Sequence, residues 1–100
     1  MTFATDFRHQ PPAPTITRQD IEARWPALPD GWTAADDANL MEGLFRGLSL
    51  EAIGNQIDQR TGNVDARWKA LKRAAGVEQG AVPWAAQMAL LEIARERSIG

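Results

Sequence analysis

The 100-residue chain contains no cysteine and a single histidine, His9. Without cysteine there are no disulfides and no thiolate metal sites, which fits a reducing compartment. With one histidine and no second ligand type beside it, His9 reads as a solvated side chain. A glycine-rich phosphate loop is missing, and so is any histidine–carboxylate cluster of metal spacing. A short helical chain also offers little pocket volume. These absences lead to the expectation of a protein that is not an enzyme and uses no cofactor or metal. No apolar run approaches the roughly 20 residues of a membrane span, and the N-terminus lacks a basic-then-apolar signal pattern. A soluble, cytoplasmic protein is expected, nucleoid-associated if the source is bacterial. No stretch alternates with period two, and no hairpin turn separates apolar runs, so the expected fold class is all-α.

Hydrophobic residues make up 44% of the chain, enough for one small core. The net charge of -2 argues against indiscriminate attraction to nucleic acid. Any such role has to come from local charge.

Residues 1–15 hold Pro11, Pro12 and Pro14 and read as a flexible, proline-rich arm. Residues 16–31 are expected to form a short helix at 18–25, then a turn. Thr17 and Asp20 stand at capping-box spacing, Ile16 and Ile21 at staple spacing, and Pro26 stops the helix. Ile21, Trp25 and Leu28 are its expected core residues. Pro29-Asp30-Gly31 is the turn.

Residues 32–76 carry the densest pattern. Thr33 and Asp36 form a second capping-box pair before a helix at 34–46, with Leu40, Met41, Leu44 and Phe45 as its apolar stripe. Gly47 occupies its C′ position. Ser49 caps a helix at 50–58 with Leu50, Ile53 and Ile57 inward. Thr61 is the expected cap of a helix at 62–75 with Val64, Trp68, Leu71 and Ala75 inward, and Gly76 closes it. In the final segment, 77–100, a loop through Gly80 leads to an amphipathic helix at 83–97 opened by Pro83.

Charge is segregated along this chain. Between Arg60 and Arg73 there are five basic residues and one acid, Asp65, whereas 30–58 holds six acids and one base, Arg46. On a helical wheel of about 100° per residue, Asn63, Ala66, Lys69, Ala70 and Arg73 lie opposite the apolar stripe of the 62–75 helix. A positive face attracts phosphate and fits the roughly 12 Å major groove, and the alanines keep it slim. Asn63 suits adenine, Lys69 or Arg73 suits guanine or phosphate, and Arg60 stands beside a helix N-terminus able to receive a phosphate. Lys72 and Arg73 also suit a helix C-terminus on purely structural grounds. A short helix, a tight connection at 59–62 and a longer basic helix follow the helix-turn-helix order.

Over 32–71, about two-fifths of the chain, the sequence resembles the Myb/SANT family of three-helix DNA-binding repeats. The resemblance is carried by Trp32-Thr33 with Asp36-Asp37, by Gly47 through Ile53, by Arg60-Thr61, and by Arg67-Trp68 with Leu71. Leu50 replaces the family's middle aromatic. The resemblance implies a helix-turn-helix core around indoles, with an extra helix on either side, as in single-repeat bacterial or phage proteins. It implies major-groove docking of the 62–75 helix on double-stranded DNA, with Arg60, Asn63, Lys69, Lys72 and Arg73 as DNA-binding residues and transcriptional regulation as the role. Asp65 and Ala66 stand at the family's base-reading positions, which leaves Lys69 and Asn63 as polar reading groups. Arg67 is expected to pair with Asp36, Asp37 or Glu42 rather than DNA, and Trp32 and Trp68 to lie in the core.

In the C-terminal helix, Trp84, Met88, Leu91 and Ala94 form a stripe that Leu90 and Ile93 widen, and a face this wide has to be covered. Packing within the chain is the favoured cover; a homodimer or another protein partner is the alternative. Two rival functions remain: a SANT-type protein-interaction module using the acidic surface or this helix, and a phage DNA-packaging or replication accessory that oligomerises.

Overall fold

The computed structural model describes residues 16–99, and the arm expected at 1–15 lies outside them. Among the described residues there are five α-helices and no strand: α1 (Arg18–Ala23), α2 (Ala34–Phe45), α3 (Leu50–Ile57), α4 (Thr61–Ala74) and α5 (Trp84–Ile99). No helix among them is long and apolar enough to cross a membrane.

Local chemistry starts these helices where the sequence indicates. The Thr17 hydroxyl accepts from Asp20 N–H at 3.1 Å, and the Asp20 carboxylate accepts from Thr17 N–H at 3.0 Å. Those bonds hold the Asp20 carboxyl below the usual aspartate range, the Thr17 backbone N–H being the larger cause and its side chain the next. Thr33 and Asp36 repeat the same box at 3.1 Å in both directions. The Ser49 hydroxyl accepts from Ala52 N–H at 3.1 Å. At the end of α2, Gly47 takes φ 79°, and Leu48 N–H donates to Gly43 O at 3.0 Å. This left-handed turn satisfies the last carbonyls of the helix.

Several expectations need correction. Thr61 is not the α4 cap. Arg60 holds that position in extended backbone with no side-chain hydrogen bond, and Thr61 is already helical. Upstream, Asp58 ends α3 in a left-handed conformation (φ 58°). The first helix stops at Ala23 rather than Trp25, because Pro26 disfavours helical backbone at the residue before it. The last helix begins at Trp84, one residue after Pro83, and runs to Ile99. Leu28 is 47% exposed rather than in the core, since it sits in the linker between α1 and α2 that follows the surface.

The core gathers Leu40 and Met41 of α2, Ile53 of α3, and Val64 and Leu71 of α4, all fully buried. Each such side chain contributes about 1.5–3 kcal/mol relative to exposure. The same core continues into Ile21 of α1 and Leu90, Leu91, Ile93 and Ala94 of α5. The most extensive helix–helix contact joins α2 and α5, and α1 packs on α5 and α4. The wide apolar face of α5 is thus covered within the chain. Trp84 is the exception: it is 68% exposed and touches Phe45 edge-on at 6.3 Å. Salt bridges fasten α5 from outside: Arg18 reaches Glu92 at 3.1 Å and also Glu96, and Arg95 holds Glu42 at 3.0 Å. The hydrogen bond to Glu96, more than the nearby charges, raises Arg18 above the usual guanidinium value.

Candidate nucleic-acid interface

The inner side of α4 is tied down by one polar network in an otherwise apolar core. Arg67 is 3% exposed and Asp37 1% exposed. The Arg67 Nε–H and one terminal N–H donate to the two Asp37 oxygens, both at 2.8 Å. The same carboxylate accepts from the Trp32 indole N–H at 2.7 Å. Arg67 also donates to the carbonyls of Ala27 at 2.8 Å and Pro26 at 3.1 Å. The planar guanidinium thereby spans three segments, α4, α2 and the 26–29 linker, which a lysine could not do. No described buried side-chain polar atom lacks a partner. Of the three acids expected as partners for Arg67, Asp37 takes the role. Asp36 caps α2, and Glu42 goes to Arg95.

The turn from α3 into α4 is held by backbone crowding as well as hydrogen bonds. Gln59 N–H donates to Gly54 O at 2.8 Å. A Cβ on Gly54 would stand 2.6 Å from the Gln59 carbonyl oxygen. Only glycine lets the chain turn this tightly against the end of α3. The Gln59 side chain then donates to Gly31 O at 2.8 Å, joining this turn to the start of α2.

With its inner side locked, α4 turns a defined face outward. Arg60, Asn63, Lys69 and Arg73 are exposed and Lys72 is half-buried, but the five are not equivalent. Arg60 stands at the N-terminal end of α4. Asn63 is set apart at the rim of a groove of about 280 Å³ between α4 and the linker, shared with Pro26, Pro29, Asp30 and Gln59. Lys69 Nζ lies 3.0 Å from Asp65 Oδ2, one turn back. Lys72 Nζ lies 5.6 Å from the centre of the half-buried Trp68 ring. Arg73 is near the C-terminal end. Gly62 and Ala66 are exposed between the polar residues, so the middle of the face carries little bulk.

Sequence reasoning missed Gln59 as a clamp, the grip of Arg67 on the linker carbonyls, and the Asp65–Lys69 pair. Only the last had a sequence signal, the i,i+4 spacing of opposite charges. No family model matches this chain, and no curated protein or solved structure matches it either.

Proposed function

We propose that this chain is a double-stranded DNA-binding protein that docks α4 in the major groove, with transcriptional regulation as its role. One observation carries the reading. The face of α4 that bears Gly62, Ala66, Lys69 and Arg73 is exposed and combines basic ends with small residues between them, with Asn63 at its edge beside the linker groove. Arg60 and Lys72 contact the phosphate backbone, and Asn63, Lys69 and Arg73 face bases or phosphates. The Myb/SANT resemblance agrees with this assignment, as does the order of a short α3, a tight turn and a longer α4. The buried Arg67 network supports it indirectly, because a reading helix needs a fixed orientation on its scaffold.

The test is a fluorescence-anisotropy titration of random-sequence duplex at about 50 and 200 mM salt. Binding that weakens steeply with salt and is lost in Lys69→Glu/Arg73→Glu is expected. Absence of binding at the lower salt would sink the reading. A second reading, a protein-interaction module, is favoured by the exposure of Trp84 beside Phe45 and of the acids Glu51 and Asp58. In that case the charge-reversed variant keeps its partner.

A further inference from the structure

Of the five cations between Arg60 and Arg73, three are already engaged within the protein. Arg67 is buried on Asp37, Lys69 is paired with Asp65, and Lys72 sits over the Trp68 ring. Only Arg60 and Arg73 have no ion-pair or ring partner among the described residues. At about 1.5 Å per residue they stand roughly 20 Å apart along α4. Between them, where a docked helix comes closest to the duplex, the Asp65–Lys69 pair is electrically neutral.

We propose that Asp65 is a specificity-setting residue, which holds Lys69 in a neutral pair and so suppresses attraction to DNA of arbitrary sequence. This rests on the DNA-binding reading above. Sequence-independent affinity follows the number of phosphates that a protein neutralises. Asp65 lowers it twice, by occupying Lys69 and by setting a carboxylate against the phosphates. The pair is exposed, with 42% of the Asp65 side chain and 60% of the Lys69 side chain accessible, and exposed i,i+4 pairs are weak. They exchange readily when a better partner arrives. A duplex that offers Asp65 an exocyclic amine in the major groove, from cytosine or adenine, takes over the carboxylate and releases Lys69 to a phosphate. A duplex without that amine leaves the pair closed.

The experiment compares the full chain with Asp65→Ala and Asp65→Ala/Lys69→Ala, each first matched for circular dichroism and thermal midpoint. All three are titrated against random-sequence duplex across about 50–200 mM salt. Asp65→Ala is expected to bind about 3- to 10-fold more tightly, with a salt slope steeper by about one. Adding Lys69→Ala removes the gain. If the unaltered chain binds and Asp65→Ala shows the same affinity and slope, the role of Asp65 is overturned while DNA binding stands. If neither the unaltered chain nor any variant binds at low salt, DNA binding fails and the role of Asp65 fails with it.

Discussion

Replacing the buried Arg67 with alanine should be strongly destabilising. The substitution strands several groups together. Asp37, 1% exposed, is left with the Trp32 indole N–H as its remaining side-chain partner. The carbonyls of Pro26 and Ala27 lose their side-chain donor. Removing one partner of a buried ion pair costs about 3–5 kcal/mol, and each orphaned acceptor that stays buried adds about 1–3 kcal/mol. A domain of this size has about 5–15 kcal/mol in total, so Arg67→Ala should remove a large share of its stability. Urea denaturation followed by circular dichroism and by tryptophan fluorescence, to which all four tryptophans contribute, measures the loss. Two further variants separate lost pairing from lost volume. Asp37→Leu/Arg67→Met removes both charges and should recover much of the loss, since apolar replacement of a buried pair is often near neutral. Trp32→Phe removes one donor and should cost about 1 kcal/mol from the hydrogen bond alone. Under the DNA-binding proposal, the affinity of the Arg67 variants should follow their folded fraction, because Arg67 is buried on Asp37 rather than exposed on the outward face. A loss below about 1 kcal/mol in Arg67→Ala would refute the reasoning and show that the network is peripheral to stability.

Gly54→Ala should lower the thermal midpoint although alanine is the better helix former: the new Cβ meets the Gln59 carbonyl at 2.6 Å, and strain of about 1–3 kcal/mol exceeds the roughly 1 kcal/mol propensity gain. A midpoint that rises would mean the turn relaxes freely. Leu40→Ala, at a fully buried site, should cost about 2–5 kcal/mol in urea titrations, whereas Leu28→Ala, at a half-exposed one, should change stability little. The Asp20 carboxyl lies below its usual range in the fold. Its contribution to stability is therefore complete above the usual aspartate range and disappears as pH falls through the depressed folded value. The difference in thermal midpoint between the unaltered chain and Asp20→Ala should shrink on acidification, and a constant difference would contradict the capping box as its source. Light scattering should find a monomer at micromolar concentration, because Leu90, Ile93 and Ala94 of α5 are spent on α2 and α1. A ring-sized assembly would instead favour the packaging or replication accessory.

Helix positions and types were legible in the sequence because their signals are local. Thr17, Thr33 and Ser49 cap the next few residues, Gly47 closes a helix through its own backbone, and 3.6-residue periodicity marks Leu40, Ile53, Val64 and Leu71 as inward. The concentration of cations from Arg60 to Arg73 was equally plain, since it needs only counting. Pairing across the chain was not. Nothing near Arg67 selects Asp37 over Asp36 or Glu42; that choice depends on which carboxylate the packing of α2 on α4 buries beside the guanidinium. Leu28 and Trp84 looked like core residues because apolar pattern says which side chains benefit from burial, not how much burying surface exists. The linker held by Arg67 leaves Leu28 outside, and α2 meets Trp84 only through the edge of Phe45, leaving most of the ring exposed. Sequence alone determined where the helices form and where positive charge collects, since both depend on neighbours along the chain. The tertiary structure decided which of those charges remain free, because a cation's partner is set by the three-dimensional proximity of an acid or a ring.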